Sequence, residues 1–178
     1  MNELDDAAAG ARVLVAFAGE DDELDHVARA AVDLARRSGA LVVLYDRDAA
    51  SAFSDPLPNQ WGSQGERAQF GDRLSDEDLV KLGREPFARK VAAARAAGVD
   101  AWGWLAEQHG TDAMVEYARG QDAGLVLLPE DLDEPGLADR LKGETVGKAV
   151  DAAEETPAGM AVLLVAPDGS VSLAGGRL

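Results

Sequence analysis

The chain has 178 residues, 47% of them hydrophobic, which is enough for one well-buried core and short for two. Its 33 acidic against 17 basic residues give a formal charge of −16, a field that repels nucleic-acid backbones and anionic lipid, so neither is an expected partner. Cysteine is absent, which excludes disulfides, thiol catalysis and thiolate metal sites and fits a reducing, cytoplasmic compartment.

Residues 1–10 (MNELDDAAAG) have neither a basic start nor an apolar core of signal-peptide length and read as a frayed tail. No apolar run approaches the roughly 18 residues a membrane helix needs. Arg12–Phe17 is a β-branched and aromatic run closed by Ala18-Gly19, a first strand. From Glu20 to Ser38, apolar residues at Leu24, Val27, Ala28, Ala31, Leu34 and Ala35 form a helical stripe. Asp21, Asp22 and Glu23 open that helix, and Arg36 and Arg37 close it, in the order that suits its dipole. The DDELDH run holds a single His26 and reads as a solvated first turn rather than a metal cluster.

Leu41–Tyr45 is a second strand, reached by a crossover that makes the sheet parallel. Residues 49–74 carry Pro56, Pro58, Gly62, Gly65 and Gly71 without a sustained period and read as a long variable loop. Ser75 caps a helix with Asp76, Glu77 and Asp78 in its first turn and Leu79, Val80 and Leu82 behind them. Pro86 predicts a break near Arg84 and a new helix with Phe87, Val91 and Ala94 on its inner face.

Ala101–Leu105 (AWGWL) is a third strand on which Trp102 and Trp104 share one face and pack between sheet and helix. His109 reads as a loop histidine, and Thr111 caps a helix with Met114, Val115 and Ala118 inside. Leu125–Leu128 and Ala161–Val165 are two short apolar runs bounded by Gly or Pro, strands buried on both faces. Between them lie an acidic loop and a helical stripe at Val146, Ala149, Val150 and Ala153. The turn Pro167-Asp168-Gly169-Ser170 and the alternating Val171, Ser172, Leu173 suggest a terminal hairpin.

Several chemistries are missing. Gly143-Glu-Thr-Val-Gly147-Lys148-Ala149 is one residue short of a P-loop and lacks its hydroxyl. No G-x-G-x-x-G follows a strand, and Gly62-Ser63-Gln64-Gly65 lacks the spacing of a nucleophile elbow. The two histidines stand far apart, so metal-assisted hydrolysis has little beyond carboxylates. No catalytic residue and no metal site is assigned, and the expectation is a protein that is not an enzyme.

The stretch HGTDAMVEYARGQDAGLVLL, followed by the loop from Pro129 to Glu144, resembles the universal stress protein family. Members with a nucleotide site carry Gly-x-x-Gly, nine residues, then Gly-Ser or Gly-Thr after the fourth strand. Anchoring the last glycine on Gly143 places the others on Glu130 and Asp133 and the hydroxyl on Glu144, while Gly136-Leu137 matches a Gly-Leu common in the family. The family's aspartate and following pair at the end of strand one are matched by Ala18, Gly19 and Glu20. The resemblance spans roughly residues 12–166 and is weakest over 49–84.

It implies an α/β domain over 11–167, an open parallel five-stranded sheet in the order 3-2-1-4-5 with helices on both faces, followed by a 168–178 tail. Five apolar runs alternating with helical stripes give the class independently; only the strand order rests on the resemblance. A ligand would sit where the winding reverses, in a crevice lined by Ala18, Gly19, Glu20, Asp46, Pro129, Glu130, Asp133, Gly136, Gly143 and Glu144. Carboxylates at the phosphate positions imply a degenerate site, no cofactor, and a regulatory or stress-response module that does not bind ATP. The alternative is a nucleotide-binding member in which Mg²⁺ on Glu130, Asp133 or Glu20 bridges to phosphate. The resemblance also implies a homodimer through Ala161–Val165, taken as a sheet edge, with an unknown protein as the other partner.

Overall fold

The computed structural model describes residues 8–47, 49, 73–106, 111–133, 146–154 and 159–174. In chain order they form β1 (Val13–Ala18), α1 (Asp25–Ser38), β2 (Leu41–Asp46), α2 (Asp76–Lys81), α3 (Glu85–Ala96), β3 (Ala101–Leu105), α4 (Thr111–Gly120), β4 (Leu125–Pro129), a 3-10 turn (Glu130–Asp133), α5 (Val146–Glu154), β5 (Ala161–Val165) and β6 (Val171–Leu173). The sheet runs β3-β2-β1-β4-β5-β6. Its first five strands are parallel in the expected order, and β6 is antiparallel to β5.

The sixth strand corrects the expectation of five strands and of a free edge at β5. Leu163, Leu164 and Val165 pair with Leu173, Ser172 and Val171, and the Ala174 amide donates to the Val162 carbonyl at 2.8 Å. The turn between the strands is closed by the Gly169 amide on the Ala166 carbonyl and by Asp168, whose carboxylate accepts from the Ser170 amide and hydroxyl at 2.8 and 2.7 Å. Gly169 takes φ +86°, a value side chains with a Cβ disfavour.

Alternation along β1 sends Leu14 and Ala16 to one face and Val13, Val15 and Phe17 to the other. On the first face, α1 supplies Val27, Ala31 and Leu34, α2 supplies Leu79, and α3 supplies Phe87 and Val91. On the second, α4 brings Met114, Val115 and Ala118, and α5 brings Ala149 and Ala153. Each fully buried Leu, Val or Phe is worth about 1.5–3 kcal/mol over its exposed state.

Trp104 lies under α4 with its ring stacked on Tyr117, centroids 4.9 Å apart, as the shared-face reading expects. Trp102 is half-buried; Arg95 lies 4.7 Å from its ring centre and its indole N–H donates to Asp100. Val80, expected behind the acidic first turn of its helix, is 49% exposed, so only Leu79 and Leu82 anchor that side.

Helix ends follow local chemistry. Ser75 and Asp78 form a capping box, with the Asp78 amide donating to the Ser75 hydroxyl oxygen at 3.1 Å and the Ser75 amide donating to Asp78 Oδ2 at 3.0 Å. Partial burial works against the Asp78 carboxylate, but the hydrogen bonds from Ser75, with Lys81 nearby, hold it below its ordinary value. Its contribution is therefore present above the unfolded carboxylate range and fades as pH falls through the lowered folded value. Pro86 lies in the first turn of α3, where its missing N–H costs nothing.

Gly103 is the close approach that seats α2 and α3 on β3. A Cβ there would lie 2.7 Å from Leu79 Cδ1, 3.0 Å from Phe87 Cε1 and 3.4 Å from Val91 Cγ2. The same residue exchanges both backbone hydrogen bonds with Leu74, at 2.9 and 2.8 Å. We expect Gly103→Ala to destabilise by about 1–3 kcal/mol through overpacking. A urea midpoint unchanged from the parent would show that the helices relax freely.

Candidate functional site

The crevice expected between β1 and β4 would lie beyond the carboxyl ends of these strands. Ala18 ends β1 in register with Asp46 at the end of β2, and Asp46 in turn pairs with Leu105 of β3. The Arg47 amide donates to the Ala18 carbonyl and the Ala106 amide to the Asp46 carbonyl, at 3.1 and 3.2 Å, so three strand ends are tied together. Pro129 ends β4 opposite Val165, and Glu130 begins the 3-10 turn with its side chain exposed. Gly19 is buried beside Ala18. Of the other expected residues, Gly136, Gly143 and Glu144 lie outside the described residues, as do the side chain of Asp133 and all of His109.

The expected acids Glu20 and Asp46 are not open carboxylates. Arg84, at the N-cap of α3, donates from Nε to Asp46 Oδ2 at 3.0 Å, makes a second, closer contact from one terminal nitrogen, and meets Glu20 Oε1 at 2.8 Å with the other. Asp46 is fully buried and the Arg84 side chain is 5% exposed, so the pair is held in low dielectric. Removing two charges from water is costly, and good geometry with more than one hydrogen bond is what makes such a pair tolerable. A metal ion on Glu20 would have to compete with that guanidinium.

Around this clasp the other nearby cations are also committed to acids. Arg47 contacts Glu23 at 3.4 Å, and Lys90 of α3 contacts Asp25 at 2.7 Å and the Asp21 carbonyl. Among the described residues no group of three or more His, Cys, Asp or Glu is placed to hold a metal ion.

Two side chains of the segments that follow β1 and β4 carry a buried atom without a hydrogen-bond partner. His26, expected to be solvated, is only 9% exposed, which corrects that reading. Its Nδ1 lies 3.1 Å from the Glu23 carbonyl; a carbonyl only accepts, so Nδ1 carries the hydrogen. Its Nε2 is buried without a partner, as is Oδ1 of Asp131 in the 3-10 turn after β4.

Sequence reading missed Arg84 and His26 in different ways. The signal for Arg84 was an Asp closing an apolar strand, which demands a cation, and an Arg at a helix break. His26 falls one turn before Ala30, itself buried, so the inner face of α1 is wider than the apolar stripe.

No protein-family model and no curated protein matches the chain. Among solved structures, it is similar to a universal stress protein in complex with cAMP, at 19% identity and a TM-score of 0.47, covering 87% of this chain and 96% of that one. It is also similar to a universal stress protein from Archaeoglobus fulgidus, at 18% identity and a TM-score of 0.43, covering 74% and 89%. Among the described residues no helix is long and apolar enough to cross a membrane.

Proposed function

We propose that the chain is a universal stress protein-like regulatory module, cytoplasmic and non-enzymatic, whose crevice does not take ATP. The motif resemblance after β4 and the 3-2-1-4-5 arrangement of the parallel strands support the family; the crevice chemistry supports the loss of the nucleotide. The observation that carries it is Arg84, a cation at the end of β2, which is already engaged by Asp46 and Glu20. A triphosphate would meet Ala18 where a polar group is expected and Glu130 where a glycine amide is expected. Each carboxylate about 4 Å from phosphate adds repulsion of about 1–4 kcal/mol at effective dielectrics from water down to 20.

Partners follow from the same reading. Signalling through an unidentified protein fits a module to which the sequence assigns no catalytic residue. A homodimer built on the bare edge of β5 does not, because β6 occupies that edge within the chain.

Millimolar ATP, with and without Mg²⁺, should leave the melting temperature of the full chain unchanged. Ligands that bind only the native state stabilise it by mass action, so a clear rise with ATP would overturn the reading. A rise that needs Mg²⁺ would replace it with the metal-assisted alternative.

A further inference from the structure

We propose that a surface cavity beside the amino end of β3 binds a free α-amino acid, with Arg73 taking its carboxylate, Asp122 its ammonium group and Trp102 its apolar side chain. The cavity lies at the opposite end of the sheet from the crevice, so its ligand is independent of whether nucleotide binds.

Five residues, Arg73, Trp102, Gly120, Gln121 and Asp122, line this cavity of about 560 Å³. Trp102 is the second residue of β3, and Gly120, Gln121 and Asp122 end α4 and lead into the amino end of β4. Arg73 Nε donates to Gln121 Oε1 at 2.8 Å, which fixes the half-buried guanidinium beside that turn. Its terminal nitrogens meet no acceptor among the described residues, whereas Arg47, Arg84 and Arg95 are each engaged with an acid. Asp122 is one Cα step, about 3.8 Å, beyond the residue that holds Arg73. The two charges nevertheless make no ion pair within 4.0 Å, so both are open to the same cavity.

Asp122 stands where the fold alone would place a different residue. Its φ is +57°, in the left-handed region that glycine occupies most easily at a helix end. It also sets a carboxylate at the negative end of α4, where the dipole favours a cation. The turn needs no side chain there, because the Gln121, Ala123 and Asp122 amides donate to the Tyr117, Ala118 and Arg119 carbonyls. Arg119, in the last turn of α4, donates to the Ala152 carbonyl. A ligand cation at this turn would face both the Asp122 carboxylate and the helix end.

Charge and shape select the ligand. A simple anion on Arg73 would meet Asp122 and the field of a chain with formal charge −16, and a simple cation on Asp122 would meet the guanidinium of Arg73. An α-amino acid carries both charges on one carbon with no net charge. Its carboxylate suits the paired terminal N–H groups of an arginine, and its ammonium group supplies donors to an acceptor-only carboxylate. Trp102 supplies the apolar wall. Arg95 lies 4.7 Å from its ring centre and Asp100 accepts from its indole N–H, and neither residue lines the cavity, so what the half-buried ring turns to the cavity is apolar surface.

The test titrates the full ¹⁵N-labelled chain with L-phenylalanine, and in parallel with 3-phenylpropionate, which lacks the ammonium group, and phenethylamine, which lacks the carboxylate, at matched ionic strength. The chain has three tryptophans, and the Trp102 indole signal is identified by its loss in Trp102→Phe. L-phenylalanine should shift that signal saturably with a Kd of about 1 mM, and each of the other two should bind at least about tenfold more weakly. Arg73→Met and Asp122→Gly should each abolish the saturable response. Free Asp122→Gly should melt no lower than the parent, because it relieves the left-handed backbone and removes a charge from the wrong end of the dipole, so its loss of response is not a loss of fold. Equal affinity for the three probes, no saturation at about tenfold higher L-phenylalanine, or an undiminished response in Asp122→Gly would overturn the proposal.

Discussion

Replacing Arg84 with methionine is expected to cost about 3–5 kcal/mol of folding stability, the largest loss predicted for any single substitution here. The reason is asymmetry. Arg84 bonds Asp46 through two nitrogens, and Asp46 has no solvent access, so deleting the cation leaves a buried carboxylate without its guanidinium. The urea midpoint should fall with little change in slope, because the surface exposed on unfolding is nearly the same. The double variant Arg84→Met, Asp46→Leu should recover most of the loss, since a buried ion pair replaced whole by apolar groups is often neutral or stabilising. Glu20→Gln should cost less than about 1 kcal/mol, because that carboxylate is 35% exposed and partly screened by water. Additive effects of Arg84→Met and Asp46→Leu would show that the contact carries no coupling energy and would remove the clasp from the account.

That clasp also marks what sequence can and cannot supply. The strands were legible because each is a short run of apolar residues, and α1 and α3 because their inner faces repeat at helical spacing. Pairings between distant residues were not. Asp46 and Arg84 are 38 positions apart, and nothing local says that the helix break at Arg84 lands over the end of β2. Glu20 and Asp46 were therefore read as lining a crevice, when both meet the guanidinium of Arg84. His26 was misread for a local reason: a polar residue on the margin of an apolar stripe is assigned to water by pattern alone, whereas burial depends on what packs against that flank. Ala18 and Pro129 were legible as strand ends, since each closes an apolar run.

Ending the chain at Asp168 should convert β5 from an interior strand into an edge, with self-association as the result. Val171–Leu173 is a three-residue strand with a polar residue at its centre. Covering an edge takes backbone groups rather than side chains, and three residues suffice: they pair with Leu163, Leu164 and Val165 while the Ser172 side chain stays exposed. Removing them leaves the outward N–H and C=O groups of β5 unpaired beside Val162, Leu163 and Val165, a short, apolar edge of the kind that recruits another strand. The truncated chain should associate at least about tenfold more tightly than the full chain, a gain of roughly 1.4 kcal/mol. Light scattering across a dilution series reads this directly. Equal association of the two chains would mean that β6 does not protect the edge in solution, and a homodimer through Ala161–Val165 would again be the better account.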